Sequence, residues 1–382
     1  MKSTALFALG AAAAVIEAER PHLTWLADTF ISKGVTPTFG YQEATLYFGI
    51  EGAYELNKDQ KYLDWYKRQI DAVVLDDGTI KGWNSQYSLD EYRMGNNYLY
   101  LYGLTGQQKY KTAASIVRKN LNSHPRGPHG GFWHRQPNFP NQMWLDGIFM
   151  ADSFYSQWTH LFDNQNTTAW NDIFNQYYLV DSHARNKTSG LLVHGWADGP
   201  APWADPKTGL APHVWGRAVG WYFMSLVETL QVFPKSHPSY TTLMGYYTWL
   251  ARALKEAQDP ASGGWFQVMD EPYPHVKGNY IESSGSAMFT FGLLKGVSLG
   301  YLDKKEFLAT GKKAYQGLVN KFISPQQDGT LQFTGTVAEC GLGSANATFE
   351  YYISVHTNVN DYKGSGPFMR AAYEWETWAK NA

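Results

Sequence analysis

The chain has 382 residues and a formal net charge of -2, from 32 Lys and Arg against 34 Asp and Glu, which removes any electrostatic case for a nucleic-acid partner. Aromatic residues make up 16%, including 15 Trp and 26 Tyr, which suits a large helical core or a pocket that stacks on flat ligand faces. The single cysteine, Cys340, excludes an internal disulfide and a thiolate cluster; the 11 histidines lack any metal-ligand spacing such as HExxH, so no metal or other cofactor is expected.

Residues 1–18 carry Lys2, an apolar stretch from Ala5 to Ile16 and small residues before Glu17. This is too short to span a bilayer and reads as a secretory signal, which predicts a secreted domain over residues 19–382. The alternative is that Ala11–Glu19 belongs to the first helix. Sequons at Asn166, Asn186 and Asn346 are compatible with secretion, and no other stretch suggests a membrane span.

Past that point the pattern is helical. Helices are predicted over Pro21–Lys33, Glu43–Leu56, Asp59–Val74, Asp90–Leu104, Gln107–Asn122, Asp146–Phe162, Thr167–Asn186, Arg217–Phe233, Ser239–Gln258, Ser283–Leu299, Lys304–Phe322 and Gly364–Lys380. Two kinds alternate. One is apolar around most of its circumference and carries small residues, as from Thr45 to Ile50; the other has a polar face, as from Asp59 to Lys67. Tyr54–Tyr62 resembles Tyr102–Tyr110, and Gly300–Phe307 is a looser copy; each links a buried helix to an exposed one. Six buried and six exposed helices in alternation predict an all-α, closed double ring, the (α/α)6 barrel, in preference to an open solenoid.

Long loops rich in Gly, Pro, Trp and His precede the buried helices: 75–89, 123–144, 189–215, 260–282 and 326–362. Ordered loops of that length in a compact domain are usually functional, and these would share one face of the ring. Two aspartates open buried helices beneath them. Leu89-Asp90 and Leu145-Asp146 each have Met four residues later, so both carboxyls could point into one mouth. Glu43 and Glu282 stand near two further helix starts.

Asp146 follows an aromatic and proline-bounded stretch, Gly130–Trp144, and leads into the apolar run Ile148–Ala151. It could be a helix cap, since Asp is favoured there. It could also be a proton donor, if burial against Trp144 and Phe149 and the nearby charge of Asp90 kept it protonated. Arg217, between Trp215 and Trp221, could hold a substrate carboxylate bidentately while the indoles stack on sugar. Equally, Arg217 could pair with Glu43 or Asp90 to close the ring, and the tryptophans could be core.

The motifs in this order resemble glycoside hydrolase family 105, with family 88 further off. They are YSLDEYRMG (87–95), GGFWHR (130–135), NQMWLDGIFMADSFY (141–155), HGW (194–196), WADPKTGLAPHVWGRAVGW (203–221), NYIESSGSAMF (279–289) and LGYLD (299–303). The resemblance implies an (α/α)6 barrel that removes a 4,5-unsaturated uronic acid from the non-reducing end of lyase-generated oligosaccharides. It implies Asp146 as the general acid/base and Asp90 as a second essential aspartate. It further implies that His134, Trp144, His194, Arg217, Trp221 and Tyr41 contact substrate; Trp215 joins them from the residue reading above, as an indole that could stack on sugar. An oligosaccharide is the expected partner of a monomer or weak oligomer. Arg135 replaces the Lys expected from relatives, and the loop over 335–361 sits where substrate size would be decided. Unsaturated galacturonyl on rhamnose and unsaturated glucuronyl substrates are both open. From other classes, an epimerase or isomerase, a polysaccharide lyase and a non-catalytic carbohydrate-binding barrel could use a similar toroid.

Overall fold

The computed structural model describes residues 20–84, 86–343 and 347–380. The expected leader over residues 1–18 and the Asn346 sequon lie outside the described residues. Outer and inner helices alternate along the chain: α1 (His22–Lys33) outer, α2 (Tyr41–Asn57) inner, α3 (Gln60–Asp71) outer and α4 (Met94–Thr105) inner. They continue with α5 (Gln108–Asn122) outer, the inner α6 (Ser153–Phe162) and α7 (Thr167–Ala184) outer. Then come α8 (Gly216–Leu230) inner, α9 (Tyr240–Glu256) outer, α10 (Ser283–Ser298) inner and α11 (Lys304–Phe322) outer. A short helix, α12 (Phe349–Ser354), precedes the last inner helix, α13 (Tyr362–Lys380).

Hydrophobic patterning places each helix in its layer. Along α8 every residue from Gly216 to Val227 is buried, so it has no solvent face. In α3 only Tyr62, Trp65, Tyr66 and Ile70 are buried, a single stripe at helical spacing. Three of the outer helices begin on side-chain caps: Asp59 accepts from Lys61 N, Asn166 from Ala169 N and Asp303 from Glu306 N. Such caps contribute about 1 kcal/mol each.

The inner helices form a closed cycle: α2 packs on α4, α4 on α6, α6 on α8, α8 on α10, α10 on α13 and α13 back on α2. That last contact makes the chain a barrel and not a solenoid, and it is close enough to need glycine on both sides. A Cβ on Gly366 would lie 2.1 Å from the Thr45 carbonyl oxygen, and one on Gly49 would lie 3.0 Å from the Gly366 Cα. At the far end of the ring, Arg93 pairs with Glu228 at 2.8 Å and Arg370 with Glu55 at 2.9 Å. The two guanidinium groups lie 5.2 and 4.5 Å from the Phe48 ring centre.

Three features differ from the sequence expectation. Three two-stranded antiparallel ladders brace the loops: β1 (Gln142–Trp144) with β2 (Gly195–Ala197), β3 (Ile323–Pro325) with β4 (Leu331–Phe333), and β5 (Thr336–Val337) with β6 (Thr357–Asn358). Strands of two or three residues are too short for an alternation to register. The helix expected from Asp90 starts as a 3-10 turn, Leu89–Tyr92, and α4 proper begins at Met94. The helix opening at Asp146 runs from Leu145–Gly147 through a π-helical stretch, Ile148–Asp152, before α6 becomes regular.

Because the closing seam meets backbone and not a flexible side chain, Gly366→Ala should force α13 away from α2. The expected loss is about 1–3 kcal/mol. Urea unfolding of the variant against Gly300→Ala, where a Cβ would meet nothing within 4 Å but φ is +72°, separates crowding from backbone strain.

Candidate active site

The loops that precede the inner helices are stitched to one another by their backbones. Leu89 N donates to His134 O (3.1 Å), and His134 N donates to Gln142 O (2.8 Å). Leu145 N donates to His194 O (3.1 Å), and His194 N donates to His213 O (3.0 Å). The β1–β2 ladder completes this mesh by pairing Trp144 with Gly195. Residues distant in sequence are thereby fixed around one opening.

That opening is a cavity of about 750 Å³. Tyr41, Asp90, His134, Trp144, Asp146, Trp215, Arg217 and Trp221 all line it, eight of the nine residues singled out from the sequence. The ninth, His194, is fully buried beneath it, with its Nε2 3.2 Å from Asp146 Oδ2 and its ring centre 4.8 Å from that of Trp215. Glu43 and Glu282 do not line it. Glu282 is a buried brace that accepts from Gly285 N at 2.7 Å and Val337 N at 3.0 Å.

Asp146 sits in the first helical turn, with no side-chain capping bond at that helix start. Burial pushes its carboxyl up, but the hydrogen bond from His194 and the neighbouring His194 and His134 imidazoles outweigh burial and hold it below the usual carboxylate range. The burial expected from the sequence does act on Asp146, but the imidazoles oppose it, and Asp90 is not among the causes. Asp90 instead has its own cation: Arg135 Nη2 lies 2.6 Å from Oδ2, and His134 Nε2 is 3.6 Å from Oδ1. Burial lowers His134 against the pull of Asp90 and Asp146, favouring a neutral imidazole. Its ring stacks on Trp144 with centroids 4.0 Å apart.

Arg217 pairs with neither Glu43 nor Asp90. Its guanidinium donates to the backbone carbonyls of Val337 and, at 2.7 Å, Ala338, and lies 4.7 Å from the Trp215 ring centre. Carbonyls satisfy its donors without cancelling its charge. Among the described residues it has no carboxylate partner, although it is only 1% exposed. A buried cation facing a cavity favours an anionic ligand.

Sequence reasoning pointed to the loop over 335–361 but did not single out the residues by which this part of the chain lines the cavity. Glu339 accepts from Tyr41 Oη (3.3 Å) and Gln42 Nε2 (2.9 Å), while Lys363 is held by Asp361 at 2.9 Å. Both line the cavity, as do Tyr351 and Cys340. Burial pushes the Cys340 thiol up to about 12, so it is no nucleophile. No metal-holding group of three or more His, Cys, Asp or Glu occurs among the described residues.

A closed helical toroid whose loop face carries two carboxylates, stacked aromatic rings and a buried arginine defines a carbohydrate-processing enzyme. The model of Glycosyl Hydrolase Family 88 matches residues 24–379. A crystal structure of a family 105 glycoside hydrolase from C. acetobutylicum ATCC 824 is 38% identical, with a TM-score of 0.89 over 94% of this chain and 100% of that one. The unsaturated rhamnogalacturonyl hydrolase YesR of Bacillus subtilis (strain 168) is 26% identical over 258 residues, 66% of this chain and 69% of YesR. The unsaturated glucuronyl hydrolase of Bacillus sp. GL1, at 13% identity and a TM-score of 0.68 over 90% of this chain and 88% of that one, shares the fold. The chain belongs to the glycoside hydrolases of families 88 and 105.

If His194 holds the Asp146 carboxyl down, its removal leaves burial in command and the group must rise. In His194→Ala, carboxyl-carbon NMR should place the Asp146 titration midpoint above that of the wild-type protein. A midpoint that stays or falls would contradict the electrostatics described.

Proposed function

We propose that this enzyme removes a 4,5-unsaturated uronic acid from the non-reducing end of lyase-generated oligosaccharides, in the manner of an unsaturated rhamnogalacturonyl hydrolase. One observation carries the reading: a half-buried carboxyl, Asp146, shares an aromatic-walled cavity with an arginine that has no carboxylate partner among the described residues. An unsaturated uronide brings what that arrangement lacks, a carboxylate for Arg217 and an electron-rich alkene for the acid. The likeness to YesR favours the rhamnogalacturonyl type over the unsaturated glucuronyl alternative of the same family.

The reaction is hydration of an enol ether. Asp146, protonated, gives its proton to C4, and the alkene electrons leave an oxocarbenium centre at C5. Asp146, now a carboxylate, takes a proton from water as its oxygen bonds to C5. The C5 hemiketal opens to a ketone, and the hemiacetal left at C1 releases the next sugar. No covalent intermediate with the protein is needed, which sets this apart from the usual two-carboxylate glycosidases. The substrate carboxylate has a second role: its negative charge close to Asp146 opposes the pull of His194 and raises the acid toward protonation. Asp90, held by Arg135 at 2.6 Å and flanked by His134, faces the cationic centre from the same cavity. The indoles of Trp144, Trp215 and Trp221 supply apolar faces for the sugar and exclude bulk water.

The absorbance of the C4=C5 bond separates the rival classes. Offered unsaturated disaccharides, the wild-type enzyme should make that absorbance disappear, whereas a lyase on intact polymer makes it grow and an epimerase or binder leaves it flat. Asp146→Asn should lower kcat by about 10²–10⁴-fold with the fold and substrate binding retained. Near-normal turnover by that variant would sink the assignment of the acid. Arg217→Gln should act chiefly on KM, rising roughly tenfold or more as a charge-assisted contact is lost. An unchanged KM would remove Arg217 from carboxylate recognition.

A further inference from the structure

Beneath Asp146, His194 has a second partner. Its Nδ1 lies 2.8 Å from the hydroxyl oxygen of Tyr352, a fully buried residue of α12, while its Nε2 lies 3.2 Å from Asp146 Oδ2. We propose that Tyr352 is a positioning residue: by donating to His194 Nδ1 it fixes the imidazole tautomer, and so decides which oxygen of Asp146 carries the proton delivered to substrate. The inference rests on the hydrolase reading above.

The direction of the first bond follows from satisfying every donor. Among the described residues the Tyr352 hydroxyl has no other hydrogen-bond partner than His194. Were it to accept from an Nδ1–H, its own hydrogen would be buried without an acceptor. The phenol therefore donates, Nδ1 is bare, and the ring hydrogen sits on Nε2, pointing at Asp146 Oδ2. Burial holds the phenol in its protonated form, consistent with a donor.

This choice propagates to the acid. Oδ2 receives a hydrogen from Nε2, so when Asp146 is protonated its own hydrogen must lie on Oδ1, the oxygen not tied to the buried imidazole. In the opposite tautomer a bare Nε2 would take that hydrogen from Oδ2, and the acid would be aimed at histidine and away from the alkene. A pair two bonds away from substrate thus orients the proton without touching it.

Tyr352 is itself rigidly placed. Gln267 donates from Nε2 to the Tyr352 carbonyl at 3.0 Å and accepts from Trp215 Nε1 at 3.0 Å. The rings of Tyr352 and Trp215 lie 6.1 Å apart at 28°. Gln267 therefore holds the cavity-lining indole and the tyrosine as one unit, and Tyr352→Phe preserves the ring and this packing while deleting only the donor.

The test is a long-range proton–nitrogen correlation on the full chain labelled with ¹⁵N-histidine, with His194→Gln used to assign the signal. The wild-type spectrum should show a protonated Nε2 and a bare Nδ1 for His194. In Tyr352→Phe the tautomer should become mixed or reversed, and kcat should fall by roughly tenfold to a hundredfold with KM little changed. A wild-type ring protonated on Nδ1 overturns the proposal without any variant. So does a Tyr352→Phe protein that keeps both its Nε2–H and its kcat. A wild-type enzyme that leaves every unsaturated disaccharide intact would instead defeat the hydrolase reading, and the tautomer measurement would still stand on its own.

Discussion

The ring closes only because every inner helix runs the same way, and that common direction governs what the molecule can do. Tyr41, Asp90, Asp146, Arg217 and Lys363 all stand at or just before inner-helix starts, and all line a single cavity. Helix starts present unpaired amides and the positive end of the backbone dipole. A mouth ringed by such ends is electropositive before any side chain is counted, which suits ionised aspartates and an anionic ligand. The same alternation gives the outer layer its polar faces and short links, leaving long connections only on the mouth side. Layering and site position are thus one consequence of a repeated up-and-down turn.

Within that mouth the charges are divided by what satisfies them. Asp90 has Arg135, Lys363 has Asp361, and Glu339 accepts from a phenol and an amide. Asp146 has an imidazole, and Arg217 has the carbonyls of Val337 and Ala338 and, at 3.5 Å, the Ser284 hydroxyl. These two incompletely neutralised groups are where a ligand would make the greatest electrostatic difference. Arg217 also ties the segment after β5 to α8, so the group facing the ligand is the one that fastens part of the cavity wall.

The architecture was largely legible in the sequence. Apolar residues on all sides of the stretches Thr45–Ile50 and Ser286–Leu294, against single stripes such as Tyr62, Trp65 and Tyr66, separate the two layers by patterning alone. Asp90 and Asp146 were findable because each opens a buried helix under a long loop. Tyr352, Glu339 and Lys363 were not. Tyr352 and Glu339 belong to a segment with no periodicity of its own and make contacts with residues 158 and 298 positions away, while Lys363 stands one residue before the predicted start of the last inner helix. Arg217 was found but its partners were not, since backbone carbonyls leave no trace in side-chain identity. His194 was recognised from its motif, yet only three-dimensional packing puts it fully buried behind the acid. The balance at Asp146 was not readable for the same reason: burial was foreseeable, while the imidazole that opposes it lies 48 residues further on.

The short ladder between β1 and β2 has a mechanical corollary. Trp144 faces Gly195 across it, with Asp146 two residues beyond one and His194 next to the other. Acid and imidazole are therefore carried by adjacent rungs of a shared backbone scaffold and not by two independently hinged arms. Helices sliding within the toroid as it flexes would carry both groups together. The few tenths of an ångström on which a hydrogen bond depends are thereby insulated from motions of the larger frame.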